Sequence, residues 1–380
     1  MKLAYISDNR MYLWDNGKIS EIHSERVNHY TETVRSIQKN KEWKETGTGA
    51  QFMGTARVDD GEIDPTALVH INRLAKSGNG IIFSMTLGDM GAIYRKDLSK
   101  PDSADEHIFT EINTVPVGIS EKNGRLALAV GYGGGTHISV YDYKKGWSEI
   151  TDGDSIEEEP VWSETDNRIF CSTVGMAISG NRSVVSPRSV LALDIEAGSM
   201  EELFADENYD YLRPQNDSDG NFYYIKQPYK IKEDKEPLWK DILLFPVRII
   251  RALAGLLNVF SIIFGGESLR GGKKRNGNAK IKEKSERELF FEGRILEAKK
   301  NEKENASKGE KNPGILPYSR VLMKNDGSET VIKRGVLDYK VLSDGSIVCS
   351  DGKHLLHIKD GEETVLAKTK LARSLCVIEE

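Results

Sequence analysis

The chain has 380 residues, 29% of them charged and 38% hydrophobic, and a formal net charge of −6. That balance fits a globular protein and excludes a polytopic membrane protein and a broadly basic nucleic-acid binder. Its three cysteines, Cys171, Cys349 and Cys376, are far apart and lack CxxC spacing, so no disulfide framework, metal site or cofactor is expected.

MKLAYISDNRMYLWD opens the chain without an apolar run long enough for a signal peptide, and a cytoplasmic protein is the expectation. The segment reads as strand, turn, strand. Residues 24–45 then place Val27, Tyr30, Val34 and Ile37 at helical spacing, with Ser24 as N-cap. Beyond them come GIIFSM…GAIYRKD, RLALAV-GYGGG-THISVYDY and NRIFCSTV…SVLALDIEAGSMEELF. NFYYIKQPY…YSRVLMKNDGSETVIKR and SIVCS-DG-KHLLHIKDGEETVLA complete the series. Asp or Asn beside Gly supplies the positive φ that hairpin turns need. Many short strands with regular turns indicate a sandwich, barrel or propeller, and units starting roughly 45 to 60 residues apart favour a propeller.

PVWSETDNRIF followed by VLALDIEAGSMEELF resembles the repeat of TolB-like, WD-repeat-related β-propellers, with Thr165, Asp166 and Asn167 where that family usually has Pro-Asp-Gly. The resemblance implies a binding scaffold rather than a chemistry. The expected fold is all-β, a six-bladed propeller with a short helix between blades one and two and a helical insertion in blade five. Residues 1–230 supply blades one to the first part of five, 231–316 the insertion, and 317–380 the remainder. KLAYIS and LARSLCVIE are both apolar strands, and their pairing closes the ring.

The insertion contains DILLFPVRIIRALAGLLNVFSIIF. Arg248 and Arg251 interrupt it and both its ends return to one blade, which argues against a membrane span. At 100° per residue Lys240, Asp241, Arg248, Arg251, Gly255 and Asn258 share a sector about 100° wide. Leu243, Leu244, Phe245, Val247, Ile249, Ile250, Leu253, Leu256, Leu257, Val259, Phe260, Ile262, Ile263 and Phe264 form the apolar remainder. With Arg248 and Arg251, Arg270, Lys273, Lys274, Arg275, Lys280, Lys282 and Lys284 make a basic tract, each charge adding about 1 kcal/mol beside an anionic leaflet. Two readings follow: a helix lying in the interface of a membrane, or a helix docking on a protein partner or a second copy. The tail of the insertion, ERELFFEGRILEAKKNEKENASKGEKNPG, starts as a second helix and then reads as a charged, disordered linker.

Connections between second and third strands leave a propeller by one face, so Asp89, Tyr132, His137, Arg182 and Arg188 are the candidate ligand or partner contacts. Enzyme signals are poor. TGTGAQFMG and GYGGGTH lack a P-loop ending, there is no GxSxG, and His354 and His357 fall on opposite strand faces. The Glu157-Glu158-Glu159 run reads as a solvated turn. The expected function is a non-enzymatic scaffold for a protein partner at the inner face of a membrane. A hydrolase or lyase with a central-channel site is the remaining reading, and it requires polar residues converging at the axis.

Overall fold

The computed structural model describes residues 1–45, 69–100, 103–132, 135–153, 155–179, 182–229, 288–291 and 294–380. Among them the chain is predominantly β-sheet, with two helices.

Sheet I contains β1 (Lys2–Ser7), β2 (Arg10–Asp15) and β3 (Lys18–Ile22), and helix α1 (Glu25–Glu45) follows it. Sheet II is β4 (Val69–Ser77), β5 (Gly80–Leu87), β6 (Met90–Asp97) and β7 (Glu106–Ile112). Sheet III is β8 (Val115–Lys122), β9 (Arg125–Tyr132), β10 (Gly135–Asp142) and β11 (Gly146–Glu149). Sheet IV begins with β12 (Ser155–Trp162) and the long β13 (Arg168–Ser179), whose far end forms a hairpin with β14 (Arg182–Val185). It continues with β15 (Ser189–Asp194) and β16 (Ser199–Phe204), and a single parallel pairing of Thr136 with Ile156 joins it to sheet III.

Sheet V starts with β17 (Tyr209–Asn216) and β18 (Phe222–Pro228). A separate hairpin, β19 (Glu288–Phe291) and β20 (Arg294–Glu297), and helix α2 (Ala298–Ser307) come before the sheet resumes. β21 (Val321–Asn325) and β22 (Glu329–Arg334) complete it. Sheet VI is β23 (Asp338–Val341), β24 (Ile347–Ser350), β25 (His354–Lys359) and β26 (Glu362–Lys368). The last strand, β27 (Arg373–Glu379), returns to sheet I and pairs with β1, Leu3 opposite Val377 and Ala4 opposite Cys376. The expected pairing of the two apolar end strands is therefore present.

Turn chemistry explains the hairpins. Asn16-Gly17 and Asn123-Gly124 both hold two consecutive positive φ angles, 46° and 94° in the first, 54° and 74° in the second. That geometry matches the twist of the flanking strands, and Asn-Gly adopts it at little cost.

Each sheet buries apolar residues against the next. Ile6 and Met11 of sheet I pack with Ile71 and Phe83 of II, and Ile82 and Ile93 of II with Leu126 and Leu128 of III. Ile138 of III meets Trp162 and Ile169 of IV, and Val190 of IV meets Tyr211 and Tyr224 of V. Leu212 and Ile225 of V then pack with Tyr339 and Leu356 of VI, and Val348 and Leu355 of VI with Leu3 and Trp14 of I. Full burial of one such side chain stabilises by about 1.5–3 kcal/mol, so these six shared cores are the main driving force.

Helix α1 forms as its spacing predicts. Ser24 Oγ accepts the Val27 N–H at 3.2 Å as N-cap, Val34 is buried, and Val27 and Tyr30 pack on the core between sheets I and II. Asp105 fastens the same end, accepting from Ser24 Oγ at 2.6 Å and the Arg26 N–H at 3.2 Å. No described helix is long and apolar enough to cross a membrane. The apolar helix and the basic tract, from Leu243 to Lys284, lie outside the described residues.

Four readings differ from the structure. The tail of the insertion does not start as a helix: Glu288–Phe291 and Arg294–Glu297 pair as the hairpin β19–β20. Residues 298–316 are not a free linker: α2 forms, and buried Asn305 donates Nδ2 to the carbonyls of Gly314 (2.8 Å) and Leu316 (2.9 Å). The segment after Gly175 is a hairpin extension rather than an open loop. Glu157, Glu158 and Glu159 stand in β12, with Glu157 buried. Their carboxylates are held by hydrogen bonds and ion pairs, which offsets the cost of withdrawing them from water.

Candidate functional site where the first strands meet

β27, β4, β8, β12, β17 and β23 are the first strands of the six sheets, and each neighbours the next, with β23 also touching β27. Five of them break register at a β-bulge. The breaks fall between Ile71 and Arg73, Pro116 and Gly118, Glu158 and Val161, and Leu212 and Gln215, and on β27 opposite Ala4 and Ile6. A bulge re-aims a side chain that would otherwise alternate. Glu159, Arg213 and Ser374 sit at three of these bulges with φ of 57°, 55° and 54°, a left-handed backbone that non-glycine residues adopt only when the surroundings hold it. At Gly118 an added Cβ would lie 2.4 Å from Pro160 Cδ, so the first strands of sheets III and IV approach too closely for a side chain.

The re-aimed side chains form one ionic network. Glu159 Oε1 is 3.1 Å from Nη2 of Arg73 and 3.3 Å from Nη2 of Arg213. Glu159 Oε2 accepts the Arg213 backbone N–H at 2.8 Å. Arg213 Nη1 reaches Asp338 Oδ1 at 3.0 Å, and Asp338 Oδ2 accepts the Leu375 N–H at 3.0 Å. Arg73 Nε donates to the Val117 carbonyl at 3.2 Å. Arg373 donates to the Asn72 and Ile71 carbonyls, both at 2.9 Å. All six first strands therefore contribute. Burial by itself raises the Asp338 pKa, but Arg213, Arg73 and the Leu375 N–H outweigh it and hold the group below its ordinary 3.8.

The loop candidates are dispersed. Asp89 is half-buried beside β6, and its carbonyl accepts the Asn113 N–H at 2.7 Å. Tyr132 ends β9 opposite Gly135, and Arg182 begins β14 opposite Ser179. His137 Nδ1 lies 3.2 Å from Glu157 Oε2, a carboxylate that Thr151 and Ser155 hydroxyls also reach. Arg188 Nη2 is 3.3 Å from Glu158 Oε2, and its N–H donates to Asp210 Oδ1 at 3.0 Å. Adjacent carboxylates of β12 thus bring His137 and Arg188 to one strand, while Asp89 stands on another sheet. His354 is buried against Asp351 Oδ2 at 2.9 Å and His357 reaches Ser346 Oγ at 2.9 Å, so these two histidines are separate.

Polar residues do converge among the first strands, as a channel enzyme requires. Their carboxylates are, however, committed to guanidiniums, and the network contains no nucleophile. Cys171, Cys349 and Cys376 are buried, and burial raises each thiol pKa. No group of three His, Cys, Asp or Glu among the described residues is arranged to hold a metal.

No protein-family model matches this sequence, and no curated protein does. A chain of a nidogen/laminin complex is similar at 7% identity, covering 99% of this chain and 97% of that one, with a TM-score of 0.51. The similarity is one of fold. TolB from Acinetobacter baumannii shares 11% identity over 99% of this chain, at a TM-score of 0.49, and this chain spans 66% of its length. A putative TolB from Agrobacterium tumefaciens shares 14% over 61% of this chain and 71% of that one, at a TM-score of 0.36. The TolB resemblance is accordingly a distant structural similarity.

Sequence reading missed Arg73, Glu159, Arg213, Asp338 and Arg373. A signal exists: a single charge in an otherwise short, compact stretch, as in INRLA, YLRPQ and LARSL.

Proposed function

We propose that this chain is a six-bladed β-propeller acting as a non-enzymatic interaction scaffold, and that the insertion between β18 and β21 docks on a protein partner or a second copy. The observation that carries this reading is the cyclic order of shared cores, in which sheet VI packs on sheet I as every other sheet packs on its successor. Antiparallel order then sends every second-to-third connection out at the end where the first strands begin. The hairpin of β14 and both ends of the insertion leave there. The other end carries mostly short turns such as Asn16-Gly17 and Asn123-Gly124. Long connections on a rigid scaffold are where binding surfaces concentrate.

The test compares the full chain with a deletion of residues 237–284, by light scattering and by liposome flotation. The expected result is a larger assembly for the full chain, alone or with its co-purified partner, and a monomer after deletion, with neither form floating. Flotation of the full chain alone would instead favour the second reading, attachment to the inner face of a membrane, which the arginine-edged apolar run and basic tract motivate. Monomers in both forms with neither a partner nor flotation would overturn the docking role.

A further inference from the structure

Residues 298–316, which carry α2, lie against sheets V and VI without entering the cyclic packing. None of them belongs to the six shared cores. Internal bonds make the segment one piece, since Asn301 Nδ2 donates to the Ile315 carbonyl at 3.0 Å beside the two bonds of Asn305. Its hold on the ring is of another kind. Glu302 pairs with Lys353, Glu310 pairs with Lys333 at 2.6 Å, and Asn312 Nδ2 donates to Glu363 Oε1 at 2.6 Å. The apolar part of the contact is small, Ile315 and Leu316 against Leu337 and Leu371.

At the centre of this contact the segment meets the turn after β24. The Ile315 N–H donates to the Asp351 carbonyl at 3.1 Å, and Leu316 is buried. A Cβ at Gly314 would stand 2.4 Å from Asp351 Cβ, and one at Gly352 would stand 2.6 Å from Leu316 Cδ2. The seat therefore takes a bare backbone at the first position, an N–H at the second and a leucine-sized side chain at the third. Emptying it strands no buried charge, because Lys333 keeps Glu363 at 2.9 Å when Glu310 leaves.

We propose that the surface formed by Leu337, Asp351, Gly352 and Leu371 is a docking site for an extended peptide of a partner, with glycine followed by two aliphatic residues. The chain's own Gly314-Ile315-Leu316 occupies it as an internal competitor, and displays the chemistry that the surface accepts. Tethering gives this competitor a high effective concentration, so the apparent affinity for an outside peptide scales with the fraction of molecules whose seat is empty. The site is independent of the docking role proposed for the insertion.

Fluorescence anisotropy on the full chain tests it, with a labelled peptide of residues 310–318, EKNPGILPY, as the probe. Leu316→Ala removes the apolar anchor of the internal competitor and Glu310→Gln removes its ion pair, while both leave the surface itself unchanged. Each variant is expected to bind the probe about tenfold or more tightly than wild type, because each raises the empty fraction. Glu310→Gln serves if Leu316→Ala fails to fold. A probe carrying Gly314→Val is expected to bind neither variant. Equal affinity in wild type and both variants, no binding to either variant, or undiminished binding of the valine probe overturns the site.

Discussion

The carboxylate of Glu159 stands 3.1 Å from Nη2 of Arg73, eighty-six positions away in another sheet. The same oxygen faces Arg213, so Glu159→Gln removes one charge from between two guanidiniums. Breaking a buried pair by removing one partner leaves the other uncompensated, and the unfolding free energy is expected to fall by about 3 kcal/mol. Urea denaturation measures it. A change within experimental error would mean that water takes over the pairing.

Asn305 tests whether the segment before β21 belongs to the fold. Asn305→Ala leaves the carbonyls of Gly314 and Leu316 without their donor, at a cost of about 1–3 kcal/mol. Trypsin is expected to cut at Lys303, Lys308 and Lys311 faster in the variant than in the parent. Equal rates would restore the linker reading.

The three thiols should be silent. Burial pushes the Cys376 pKa up to about 12 and those of Cys171 and Cys349 further, and only a thiolate attacks a disulfide reagent. A colorimetric thiol assay at neutral pH is expected to read none of these groups in native protein and all three in guanidinium. A single fast group would mark a sheet that opens locally.

Stability should fall at both ends of the pH scale. Burial raises Tyr5 and Tyr30 from 10.0 to about 12 and also holds Tyr339 well above its ordinary value. Because the folded values are raised, the unfolded chain loses protons first, and stability declines as pH rises from 10 through the folded values. Asp338 is depressed, so its contribution is complete above 3.8 and disappears as pH falls through its lower folded value. Urea midpoints measured across the range should show a plateau between these limits. A midpoint still rising through pH 11 would contradict the tyrosine assignment.

Short apolar runs bounded by turn residues, such as β5 and β9, were legible in the sequence, and so was α1, whose apolar residues recur at the 3.6-residue spacing of a helix. First strands were harder to see. Their bulges break the alternation, and Glu159 and Arg213 place charges where an apolar residue is expected. α2 was missed for another reason: it is anchored through the amides of Asn301 and Asn305 rather than an apolar stripe, so there was no hydrophobic period to find. A network assembled from six strands far apart in the chain leaves only isolated charges in short stretches of sequence, and nothing local shows that they meet.

The pairing of β1 with β27 also has a consequence for biosynthesis. Lys2 Nζ rests 2.9 Å from Glu379 Oε1, 377 positions away. A strand made early therefore waits for one whose Glu379 follows Lys2 by 377 positions before its sheet is whole. Contacts of such separation slow folding, because a long loop must close before they form. During that interval the exposed edge of β1 is a natural target for a chaperone.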